Sequence, residues 1–139
     1  MMAVFRRIMF TILTIVLLAT AAALGGCAFD LIHVDQDPAR LEAASPNVRP
    51  FELTSEATLD IGFGYRRVLK AGTRWRCVGR LPQGDVFTTS DQILTVEASN
   101  VHEAYIVVES RNLVGFYLPV EKAFSPLRQR TELAMKELP

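Results

Sequence analysis

The chain has 139 residues, half of them hydrophobic, with 15 basic and 15 acidic side chains. That length holds one domain with appendages. Setting aside Arg6 and Arg7 leaves 13 basic against 15 acidic groups over residues 27–139, which excludes a general nucleic-acid binder and a disordered polyelectrolyte. Two cysteines and two histidines are too few for a disulfide framework or a structural zinc site.

At the N-terminus, Arg6 and Arg7 precede an apolar run of 17 residues, Ile8 to Leu24. A membrane-spanning helix usually needs about 20. The run ends in Leu24-Gly25-Gly26-Cys27, with small residues directly before a cysteine. This arrangement resembles the lipobox of bacterial lipoproteins. The resemblance implies that residues 1–26 are a cleaved signal peptide and that Cys27 carries a diacylglycerol and an N-acyl chain, with no other cofactor. Ala28, in place of an aspartate at the second mature position, then implies sorting to the outer membrane with the domain facing the periplasm. The alternative is an uncleaved N-terminal anchor with Cys27 an incidental thiol. Either arrangement puts the remaining chain outside the cytoplasm.

Residues 27–50 read as the lipidated cysteine and a tether. Asp37-Pro38 followed by Ala-Arg-Leu-Glu-Ala-Ala has the order of an N-cap, a first-turn proline and two helical turns. Ser45-Pro46 and Arg49-Pro50 then stop the helix. As a flexible chain this tether would span roughly 25–30 Å. His33 falls in it and reads as a solvated side chain.

Residues 51–124 carry strand and turn signals. Ala71-Gly72 makes a turn, after which Trp75 and Cys77 alternate with Arg74 and Arg76 up to Arg80. Pro82-Gln83-Gly84-Asp85 is turn chemistry before a short strand, Val86 to Thr89. Ile93 to Ala98 is another strand, ended by Ser99-Asn100. Glu103 to Glu109 is apolar on both faces, as a central strand would be. Arg111-Asn112 turns the chain into Leu113 to Leu118, which Pro119 ends. Five to six strands in about 70 residues predict a small barrel or a compact sandwich.

Residues 125–139 read as a C-terminal helix. Ser125 would be its N-cap and Pro126 its first residue, with Leu127, Thr131, Ala134 and Leu138 on one stripe. A helix of about twelve residues is marginal alone in water and must dock on something.

The segments Ala104-Tyr105-Ile106-Val107-Val108 and Leu113-Val114-Gly115-Phe116-Tyr117-Leu118-Pro119 look like the end of a bacterial Src-homology-3-like domain. The likeness covers roughly residues 65–124 and implies an all-β, five- to six-stranded barrel. Such domains often bind peptidoglycan.

No acidic residue occurs between Ile61 and Gly84, whereas Arg66, Arg67, Lys70, Arg74, Arg76 and Arg80 are all basic. They form a candidate patch for lipid headgroups, anionic glycan or an acidic partner. They are equally the outward positions of alternating strands, with Glu97, Glu103 and Glu109 as neutralising partners. Alternation also places Tyr117 opposite Val114, Phe116 and Leu118, making it the expected exposed aromatic anchor. Cys77 should point inward with Trp75, as a small apolar residue rather than an intermolecular bridge. His102 is the one candidate base for it. No spacing selects a pair among Asp85, Asp91, Glu97, Glu103 and Glu109, and no phosphate-cradling loop or metal-ligand spacing is present. The expectation is therefore not an enzyme but a lipid-anchored envelope protein that binds or assembles a protein complex. A peptidoglycan-binding module and a periplasmic lysozyme inhibitor are the alternative readings.

Overall fold

The computed structural model describes residues 35–62, 65–97 and 101–139, which belong to one compact unit. The signal peptide, Cys27, His33 and the Ser99-Asn100 strand stop lie outside the described residues. Strands account for all the regular structure there, and no helix occurs among the described residues.

The chain order is β1 (Asp37–Pro38), β2 (Phe51–Leu53), β3 (Ala57–Gly62), β4 (Tyr65–Leu69), β5 (Arg74–Leu81) and β6 (Gly84–Thr88). It continues through β7 (Thr95–Glu97), β8 (Val101–Glu103), β9 (Tyr105–Glu109), β10 (Asn112–Leu118), β11 (Ala123–Glu132) and β12 (Met135–Glu137). Eight strands form one antiparallel sheet in the order β1-β11-β10-β9-β6-β5-β2-β12, while β3-β4 and β7-β8 are separate two-stranded ribbons.

The order is open, so the small closed barrel expected from the sequence is not what forms. Still, β11 and β12 are joined by Leu133 and Ala134 alone, although β11 pairs with β10 and β12 with β2 on the far side of the sheet. The sheet must therefore curl until its two sides meet at that joint. Leu133 there is fully buried and its N–H donates to the Arg111 carbonyl, while the Ala134 carbonyl accepts from the Thr54 N–H.

The expected C-terminal helix over 125–139 is replaced by β11 and β12. A strand there completes the ladder on both β10 and β2, whereas a lone twelve-residue helix would leave both edges bare. The expected helix after Asp37 is absent for a related reason. Asp37 and Pro38 pair with Phe124 and Ala123 as an edge strand, where a proline that lacks an N–H costs nothing. The chain then passes along the sheet, Ala39 N–H donating to the Lys122 carbonyl and Glu42 exchanging both backbone bonds with Arg80. Residues 37–50 are thus part of the domain and not a free tether.

Two bulges decide which side chains face which core. The ladder slips at Val78 in β5 and at Val114 in β10. Each slip inverts the alternation, because one extra residue turns every later side chain to the other face. The large core holds Phe51, Leu59, Trp75, Phe87, Ile106 and Phe116. On the opposite face a smaller core of Leu81, Val86, Val107, Val114, Tyr117 and Phe124 is covered by Ala39 and Leu41 of the N-terminal segment. That cover depends on Gly79, since a Cβ there would stand 2.5 Å from Leu41 Cγ and 2.6 Å from the Glu42 carbonyl oxygen. Strand β10 is buried on both faces as a result. Its entry turn, Ser110-Arg111, has φ of 47° and 68° at its two central residues, the tight hairpin geometry whose twist suits the flanking strands.

Candidate functional site

Strand alternation spreads the six candidate cations over several surfaces. Arg66 and Arg67 are neighbours on β4 and so point to opposite sides of the β3-β4 ribbon. Arg66 is exposed across from Asp60, whereas Arg67 is half-buried and donates from Nε to the Thr95 carbonyl at 2.9 Å. Lys70 is exposed. Arg74 and Arg76 share one face of β5, while the Val78 bulge turns Arg80 toward the other. Arg74 pairs with Glu52 at 3.3 Å and Arg80 with Asp85 at 3.7 Å. The carboxylates facing these arginines are therefore Glu52 and Asp85, not the expected Glu97, Glu103 and Glu109. Glu109 instead pairs with Arg130 at 2.7 Å. Such exposed pairs contribute little to stability, and Arg66, Lys70 and Arg76 are exposed beside them.

Tyr117 is not the exposed anchor the alternation predicts. It does lie opposite Phe116 and Leu118, but the smaller core and its N-terminal cover bury it to 5% exposure, with its ring 6.5 Å from that of Tyr105. Cys77 packs against the large core as expected, half-buried and unbridged. Burial pushes its thiol up from the ordinary value, and Sγ points at the Gly79 carbonyl at 3.4 Å. A protonated thiol of this kind is a poor nucleophile. His102 serves a different partner: its Nδ1 lies 2.6 Å from Glu121 Oε1.

Three features that no sequence pattern marks gather at the end of the sheet where β6 stops and β9 begins. A hollow of about 350 Å³ is lined by Trp75, Thr88, Gln92, Leu94, Glu103 and Tyr105, among others. Its rim is stitched in place by Gln92, whose amide accepts from the Lys70 N–H and donates to the Val68 carbonyl. Asp91 adds a 2.6 Å bond from the Arg74 N–H. Next to the hollow, Ile93 is 91% exposed, and Val101 and Val120 are 67% and 76% exposed. The His102–Glu121 contact clasps the β7-β8 ribbon to the turn after β10, and Val101 and Val120 are the chain neighbours of the two clasp residues. Isolated apolar residues in loops carry no periodicity, so only the assembled surface reveals them. Among the described residues, no group of three or more His, Cys, Asp and Glu converges in a way that could hold a metal ion.

The clasp has a testable pH dependence. The hydrogen bond with His102 holds the Glu121 carboxyl below its ordinary 4.5. A carboxylate with a lowered folded-state value stabilises the fold above the unfolded value and loses that contribution as the pH falls through the folded one. The gap in thermal midpoint between the wild type and Glu121→Ala is therefore expected to be full above pH 4.5 and to close below it. A gap that persists unchanged in acid would show that the clasp is not carboxylate-based.

Comparison with family models, curated proteins and solved structures finds no match for the chain.

Proposed function

We propose that this chain is a lipid-anchored envelope lipoprotein that binds or assembles a protein complex at the outer membrane, without catalysis of its own. The observation that carries the reading is the 17-residue apolar run ending in Leu24-Gly25-Gly26-Cys27. A cysteine with two or three acyl chains is a lasting anchor, since each buried methylene contributes about 0.8 kcal/mol. The rest of the molecule suits presentation: an all-β scaffold that shows the solvent Ile93, Val101 and Val120 beside a partly apolar hollow. Exposed apolar side chains around a concavity are what a protein partner would cover. Spread of the six cations over several faces gives the peptidoglycan alternative no specific support.

The test is Cys27→Ala in the native host. The variant is expected to accumulate as an unprocessed precursor of full length that takes up no labelled fatty acid. Normal maturation and labelling of that variant would refute the anchor.

A further inference from the structure

One face of the β7-β8 ribbon is left to the solvent. The register pairs Thr95 with Glu103, and the bond from the Ala104 N–H to the Leu94 carbonyl carries it onward, so that Ile93 stands opposite Tyr105. Alternation then puts Ile93, Thr95, Val101, Glu103 and Tyr105 on one side of the ribbon. On the other side Leu94, Val96 and Ala104 are buried in the large core, and His102 meets Glu121. On the solvent side Glu103 is exposed, standing between Val101 and Tyr105 on its own stretch of chain.

Glu103 forms no ion pair with any described residue. The sequence around it supplies no counter-charge of its own: from Pro82 to Ser110 it carries Asp85, Asp91, Glu97, Glu103 and Glu109 and no lysine or arginine. Asp85 and Glu109 are matched by Arg80 and Arg130 from elsewhere in the chain, and Asp91 accepts the Arg74 N–H. Glu103 also lines the hollow, together with Thr88, Thr95, Trp75 and Tyr105. Same-face neighbours on a strand are only about 7 Å apart. A surface that covers Val101 and the hollow must therefore cover Glu103 as well. A carboxylate taken out of water without a counter-charge is costly, so the covering surface has to bring a positive group to it.

We infer that the protein partner of this apolar end brings a lysine or arginine side chain to Glu103, with the stem of that side chain over the hollow and apolar neighbours covering Ile93 and Val101. The inference rests on the assembly reading and names the chemistry of the partner. A long basic side chain fits both halves of the site, because its methylenes pack on apolar surface while its head reaches the carboxylate. Tyr105, two residues along the chain, adds an aromatic ring that a cation favours. An acidic partner would be repelled and a purely apolar one would leave Glu103 unpaired, so this residue selects the partner as well as holding it.

The experiment uses the full-length chain in dodecyl maltoside and reads the indole N–H signal of Trp75, the one tryptophan of the chain, which lines the hollow. The probes are two peptides, acetyl-Val-Lys-Val-amide and acetyl-Val-Glu-Val-amide. The lysine peptide is expected to bind about fivefold more tightly, the upper range for a partly exposed ion pair. Glu103→Gln keeps the shape of the side chain and removes its charge, and should erase that preference while the free variant keeps the wild-type Trp75 signal. An equal response to both peptides, no response included, or a preference that survives Glu103→Gln would overturn the cationic contact and leave the assembly reading standing. A wild-type chain that purifies from its host as a monomer would overturn the assembly reading and the inference with it.

Discussion

Trp75→Ala is expected to cost about 3–5 kcal/mol of stability, the range for removing a buried aromatic side chain from a packed core. Trp75 is 1% exposed, its ring stacks on Phe51 at 6.4 Å, and Phe51 in turn meets Phe87 edge-on at 4.9 Å. These rings come from β5, β2 and β6, so one deletion loosens three neighbouring strands of the sheet. The indole N–H also donates to Thr73 Oγ1 at 2.9 Å, and that hydroxyl donates onward to the Lys70 carbonyl at 2.7 Å. Trp75→Phe keeps an aromatic ring and loses the hydrogen bond, which should lower its cost to about 1–2 kcal/mol. Chemical denaturation of both variants gives the comparison. Equal costs would mean that the hydrogen bond, and not the ring packing, holds this region.

Gly79→Val is expected to cost about 3 kcal/mol and to release the N-terminal segment from the sheet. The added atoms would meet Leu41 and the Glu42 backbone, and a backbone pinned by two hydrogen bonds to Arg80 cannot step aside cheaply. Release would uncover Leu81, Val86 and Val114 on the smaller core. Limited proteolysis should then cut between residues 39 and 50, where the wild type is expected to resist. A variant as stable and as resistant as the wild type would mean that this segment is a loose tether after all.

Strand alternation, with its turns, was the most legible part of this sequence. Trp75 and Cys77 face the large core as their spacing predicts, and Gly72 and Gly84 mark turns that need positive φ. The apolar run around Ile106 is a central strand, paired on both sides by β6 and β10. Both expected helices failed at the same kind of site. Asp37-Pro38 and Ser125-Pro126 have the residue order of a helix start, yet a residue before proline is pushed toward the extended region, which suits a strand equally. Tertiary pairing then decided, since β11 had open partners in β10 and β1. Bulges were the other hidden element. Nothing local announces the slips at Val78 and Val114: the first turns Arg80 away from the face of Arg74 and Arg76, and the second moves Val114 onto the face of Tyr117, where a second core buries the aromatic expected to be exposed. The apolar end around Ile93, Val101 and Val120 depends on how ribbons and turns come together, and no periodic signal records it.

In the proposed function a lipid on Cys27 would hold the protein at the membrane, and the all-β domain presents exposed apolar residues for a partner to cover. The most direct test is purification of the natively expressed protein in mild detergent, with molecular mass and co-purifying proteins measured together. A stoichiometric assembly is expected, one that falls apart when Ile93 and Val101 are both changed to aspartate while the variant keeps its fold and its anchor. A clean monomer at native expression levels would contradict it.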